Sequence, residues 1–123
     1  MENLHERAVR AAAQYVGRKG YEVLDESWST EALAGRIDLV AEDEGIIVFV
    51  EVTASNVADG GFAEARLARE QLEVLAATWL AGNSEECNIP VRFDAVDIMA
   101  AGNDRALLRH TINKLGATSE SQS

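Results

Sequence analysis

Gly35–Thr53 reads GRIDLVAEDEGIIVFVEVT, two strands joined by a tight turn, and everything else in the chain is arranged around it. Arg36–Glu42 alternates, with Ile37, Leu39 and Ala41 on one side and Arg36, Asp38 and Val40 on the other. Asp43-Glu44-Gly45 is turn chemistry, the glycine being free to take a positive φ. Ile46–Val52 is almost wholly β-branched and aromatic, the composition of a strand buried on both faces. One acid, Glu51, interrupts that apolar run. A carboxylate in a central strand is costly to bury without a compensating charge. Asp38 on the neighbouring strand lies within reach of it, and two carboxylates at the ends of paired strands can hold a hard divalent cation. The alternative is an ion pair of either acid with Arg36.

On the N-terminal side, Asn3 and Glu6 fit a capping box. Leu4, Ala8, Ala11, Ala12, Tyr15 and Val16 then recur at helical spacing up to a stop at Gly20. Tyr21–Leu24, extended to Trp28 with a bend at Asp25-Glu26, predicts a first strand. On the C-terminal side, the polar run 54–61 ends in two glycines and leads into a second helix over Phe62–Ala81, striped with Leu67, Leu72, Leu75, Ala76, Trp79 and Leu80. Gly82-Asn83 ends that helix and Ser84–Asn88 is an acidic loop. Val91–Met99 alternates as a fourth strand. Asn103 or Asp104 then caps an expected last short helix to Leu115. The order predicts an α/β fold, a mixed sheet with a helix on each face: the hairpin is antiparallel, and the intervening helix permits a parallel crossover.

With 47% apolar residues and one proline in 123, a single ordered domain over 1–115 is expected, followed by a loose polar tail over 116–123. A single cysteine, Cys87, excludes an internal disulfide and a cysteine-rich zinc site. No apolar run approaches 18 residues, so no membrane partner and a cytoplasmic location are the expectations. Eleven lysines and arginines face 21 aspartates and glutamates, a net charge of −10 that argues against strong nonspecific binding to nucleic acid. The first helix nevertheless carries Arg7, Arg10, Arg18 and Lys19, the best candidate phosphate patch and equally a solvated helix face.

Gly-x-Ile-Asp-Leu at 35–39, its spacing to Phe49-Val50-Glu51-Val52, and Arg92-Phe93-Asp94 resemble the YraN-type bacterial proteins of the PD-(D/E)XK, restriction-endonuclease-like superfamily. Arg18-Lys19-Gly20-Tyr21, Trp28 and Glu64-Ala65 fit the same pattern. The resemblance implies a restriction-endonuclease-like αβββαβ core and a metal-dependent endonuclease acting on DNA phosphodiesters. Asp38 and Glu51 would then bind Mg²⁺ or Mn²⁺. The chain departs from the family at several polar positions. Thr53 stands where the catalytic lysine belongs, Arg36 replaces an acid, Val9 falls near the first-helix glutamate with Glu6 its nearest substitute, and Glu70 replaces a base. Arg36, beside Asp38, is the candidate substitute cation. The competing expectation is a noncatalytic relative that binds nucleic acid or a protein partner, and a homodimer is a third.

The remaining chemistry-bearing residues have plainer expectations. His5, His110, Asp94 and Asp97 read as surface or strand-end groups, and Trp28 and Trp79 as core. Arg66 and Arg69 read as members of helix-surface ion pairs.

Overall fold

The computed structural model describes residues 3–56, 68–84, 88–101 and 105–113. The order is α1 (Leu4–Arg18), β1 (Glu22–Trp28), β2 (Ile37–Asp43), β3 (Ile46–Asn56), α2 (Arg69–Asn83), β4 (Val91–Ala100) and β5 (Ala106–Thr111). The expected run 54–61 beyond Asn56, the stretch 62–67 with Glu64 and Arg66, Cys87, the Asn103/Asp104 cap and the tail lie outside the described residues. The second helix, expected over Phe62–Ala81, begins at Arg69 after an extended Ala68 and runs on to Asn83.

Helix α1 starts as its sequence dictates. Asn3 accepts from the Glu6 N–H at 2.8 Å, and Glu6 accepts from the Asn3 N–H at 2.9 Å, satisfying two otherwise orphaned donors. The β2–β3 hairpin closes through Glu44 (φ 51°) and Gly45 (φ 87°), with Asp43 opposite Ile46. Two consecutive positive φ angles give the turn whose twist matches that of the strands. Strand β1 is irregular between Val23 and Asp25, at the expected bend.

The five strands lie in the order β1-β2-β3-β4-β5. All neighbours are antiparallel except β3 and β4, which run parallel from Ile47↔Val91 to Asn56↔Ala100. A parallel pair needs a crossover, and the segment containing α2 provides it. Val9, Ala12 and Val16 of α1 pack on Leu39, Ala41, Val48, Val50, Val52 and Val96. Leu72, Leu75, Ala76 and Trp79 of α2 pack on the other face, over Ile37, Val40 and Phe49. Strand β3 is thus buried from both sides, as its β-branched sequence requires. The chain has the mixed α/β architecture and αβββαβ core of the restriction-endonuclease-like fold.

One element is corrected. Residues 106–111 form an edge strand on β4, from Ala95↔Thr111 to Ala100↔Ala106, where a short helix was expected. Ala106-Leu107-Leu108-Arg109 has good helix formers, but that propensity is weak against a ladder of sheet hydrogen bonds. Among the described residues, no helix is long and apolar enough to cross a membrane.

Candidate metal centre at the fork of β2 and β3

Strands β2 and β3 stay paired as far as Leu39↔Val50, while β3 runs on beside β4 to Asn56. Asp38 sits at this parting. Its Oδ2 accepts from the Val52 backbone N–H at 2.8 Å, so a side chain takes over where the hairpin ladder ends. The expected alternation breaks at the same place: Ile37 belongs to the α2 face and Leu39 to the α1 face. Asp38 Oδ1 accepts from His5 Nε2 of α1 at 2.8 Å. Arg36 Nε is 3.9 Å from that oxygen, a long and half-exposed contact. Asp38 itself is buried.

Glu51 is half-buried and is the next residue on β3 after Val50, as Asp38 is the residue before Leu39 on β2. The amide that Asp38 caps directly follows Glu51. By strand alternation Glu51 shares its face with Phe49 and Thr53, the α2 face.

Thr53 is 1% exposed, and its Oγ1 donates to Asp97 Oδ1 at 2.6 Å. Asp97 Oδ2 in turn accepts from Arg109 Nε at 3.0 Å and pairs with its Nη2 at 2.9 Å. Thr53↔Asp97 and Asp97↔Arg109 are direct cross-strand partners, so hydroxyl, carboxylate and guanidinium form one row across β3, β4 and β5.

A second polar group fills the α1 face. Asp94, with a fully buried side chain, accepts from Arg92 Nε at 2.9 Å and Nη2 at 3.1 Å, from His110 Nε2 at 2.8 Å and from the Asn113 N–H at 2.8 Å. Arg92 also reaches Asp43 at 3.3 Å and donates to the Tyr21 hydroxyl at 2.7 Å. His110 Nδ1 lies 3.3 Å from the Tyr15 hydroxyl and 3.4 Å from Lys19 Nζ. The hydrogen bonds to Asp94 hold the Arg92 guanidinium well above the ordinary arginine range. Burial raises Tyr21, against the opposing pull of Arg92. Four expectations are therefore corrected: Asp94 and Asp97 are buried, and His5 and His110 are partly buried carboxylate partners.

A family model described as an uncharacterised protein family, UPF0102, matches residues 9–98. The chain belongs to the UPF0102 family. A UPF0102 protein of Roseiflexus castenholzii is 40% identical over 90 residues, covering 71% of each chain. One of Rhodopseudomonas palustris is 36% identical over 90 residues, covering 72% of this chain and 68% of the relative. One of Beutenbergia cavernae is 36% identical over 104 residues, covering 82% and 86%. This is the family that the sequence resembled. The UPF0102 match includes Asp38, Glu51, Thr53 and Asp97 but ends before Arg109 and His110 on β5.

Sequence reasoning passed over His5 and Arg109. The nearest acid in the UPF0102 chain's first helix, Glu6, is committed to the capping box, and His5 faces Asp38 instead. The signal was its position one turn before Val9, on the stripe that continues through Ala12 and Val16. Arg109 was hidden by reading its segment as helix. Of the expected phosphate patch, Arg7, Arg10 and Arg18 are exposed on α1, whereas Lys19 lies over Tyr15 and against His110. Trp79 is core, its Nε1 donating to Asp25 at 3.1 Å, and Trp28 packs against the same cluster. Arg69 pairs with Glu73 at 3.1 Å along α2.

Among the described residues no group of three or more histidines, cysteines or acids is placed to hold a metal ion. The two carboxylates expected as ligands, Asp38 and Glu51, thus stand at the fork without a third such group beside them among the described residues. Two carboxylates would suit a hard cation such as Mg²⁺ or Mn²⁺, which keeps several waters, rather than an all-protein cage. A cation held by Asp38 would share that carboxylate with His5.

Proposed function

We propose that this UPF0102 protein is a divalent-cation-dependent nuclease-like domain acting on DNA phosphodiesters, with Asp38 and Glu51 holding Mg²⁺ or Mn²⁺. The observation that carries this reading is the position of Asp38. It is buried where β2 and β3 part and fixed by the Val52 N–H directly after Glu51. A bound cation would supply charge neutralisation at the phosphate and a more acidic water. The chain's own contribution is orientation: the Val52 amide and His5 fix both oxygens of Asp38. The restriction-endonuclease-like core supports the reading.

Thr53 favours a second reading, a noncatalytic binder of nucleic acid. Its hydroxyl is committed to Asp97 and it carries no charge for a transition-state phosphate. Calorimetric titration with Mn²⁺ and Mg²⁺ addresses the metal site without a guess about substrate. Saturable Mn²⁺ binding is expected, reduced at least tenfold in Asp38→Asn and in Glu51→Gln. Binding unchanged by both substitutions removes the fork as the metal site. Cleavage of labelled DNA with Mn²⁺ then separates the enzyme from the binder.

A further inference from the structure

We propose that Arg109 is the cation that meets the nucleic-acid phosphate, and that Thr53 and Asp97 are the residues that position it. The inference rests on the nuclease-like reading above and assigns the charge that Thr53 cannot supply. A developing phosphate anion needs a preorganised cation near the metal-bearing carboxylates. Among the described residues two arginines are weighed: Arg36 beside Asp38, and Arg109 on the carboxylate that Thr53 also holds. Arg36 approaches Asp38 Oδ1 at 3.9 Å, so its charge is directed at a proposed ligand. Arg109 is directed elsewhere. It is fixed on Asp97 through Nε and Nη2, and Asp97 is not among the proposed ligands.

The geometry of the row supplies the rest. Thr53 lies two residues beyond Glu51 on β3, on the same face by alternation. Asp97 is its cross-strand partner and Arg109 is the partner of Asp97. Neighbouring strands are about 4.8 Å apart, so the Arg109 backbone stands about 10 Å from that of Thr53. The Arg109 side chain bridges much of this span, since Thr53 and Arg109 hold opposite oxygens of the same carboxylate. Asp97 is 3% exposed, which fixes the near end of the guanidinium. The Arg109 side chain is 52% exposed, which leaves an approach for a phosphate oxygen. Arginine donates through a planar fork, so one edge can hold a carboxylate while another meets a phosphate. Thr53 is then a positioning residue: its hydroxyl, confined in a buried site, orients Asp97.

The test is fluorescence anisotropy of a labelled 20-mer DNA duplex and its single strand, with Mn²⁺ at low temperature, over a series of salt concentrations. Arg109→Gln is expected to weaken binding about tenfold at low salt and to lower the slope of log affinity against log salt by about one. Arg109→Lys is expected to keep most of that slope, and Thr53→Val, which keeps shape and loses the hydroxyl, to lie between. Asp97→Asn with Arg109→Gln removes both charges together, so no buried carboxylate is left unpaired, and the slope should still fall. An unchanged slope in that double variant overturns the assignment to Arg109. If Asp38→Asn then still abolishes Mn²⁺-dependent binding, the nuclease-like reading survives. Failure of the wild-type protein to bind Mn²⁺ or either DNA overturns both.

Discussion

Asp94 shows how one residue can organise a face of the sheet. Its two oxygens accept from Arg92, His110 and the Asn113 amide, gathering β4, the end of β5 and the turn after it. A buried carboxylate with this many donors is stable only while they remain. Asp94→Ala is expected to destabilise the fold by about 3 kcal/mol, since Arg92 keeps Asp43 and His110 keeps Tyr15. Urea unfolding measures it, and a loss below about 1 kcal/mol would show that water replaces the carboxylate. The pairing of Arg92 with Asp94 was within reach of the sequence, because alternate strand residues share a face. The partner His110 was not. A lone histidine gives no sign of burial until the strand that carries it is placed.

At the scale of elements, the hairpin was legible because its three signals agree: alternating Arg36–Glu42, turn residues at 43–45 and the β-branched run at 46–52. Helix α1 was legible in its cap and its stop, but its buried stripe is Ala8, Val9, Ala12, Ala13 and Val16, whereas Leu4 and Ala11, expected on that stripe, are exposed. Strand β5 was not legible. It is short, lies at the sheet edge and contains helix-favouring residues, so its state is decided by its partner β4. The demand for that partner was written in β4 itself. Asp94 and Asp97 project from opposite faces of a buried strand, and Arg109 and His110, adjacent in sequence, present one cation or donor to each face. The turn of the hairpin allows a test of local chemistry. Glu44 holds φ 51°, which a side chain without local hydrogen bonding adopts at a cost. Asparagine before glycine is the favoured pair for this turn, so Glu44→Asn should stabilise by about 0.5 kcal/mol. Gly45→Ala, at φ 87°, should destabilise by about 1 kcal/mol although no atom lies within 4 Å of the added carbon. Thermal melts of the two variants should shift in opposite directions. Shifts of the same sign would mean that the turn does not set hairpin stability.

For the whole molecule, charge is unevenly spent. The chain carries ten more acids than bases, yet Arg92 and Arg109 are each engaged by buried acids. The α1 face is held by a continuous chain of polar contacts from Lys19 and Tyr15 through His110, Asp94 and Arg92 to Tyr21 and Asp43. This chain ties the helix, the residue leading into the first strand, the hairpin and the last two strands together, and its weak link is at alkaline pH. Tyr21 is raised above the ordinary tyrosine value of about 10 by burial. A group raised on folding stabilises fully below its unfolded value, and that contribution is lost as pH rises through the folded one. Arg92 has the same sign but at higher pH, beyond the range in which the fold can be followed. Stability should therefore decline above pH about 10, where the unfolded chain releases the tyrosine proton and the folded chain retains it. Tyr21→Phe removes this proton and the hydrogen bond from Arg92, so it should be about 1 kcal/mol less stable at neutral pH. Its disadvantage should shrink as pH rises above about 10. Denaturant midpoints of both proteins from pH 8 to pH 11 test this. Parallel curves would show that Tyr21 does not link the fold to pH, and that the alkaline decline has its origin elsewhere in the network.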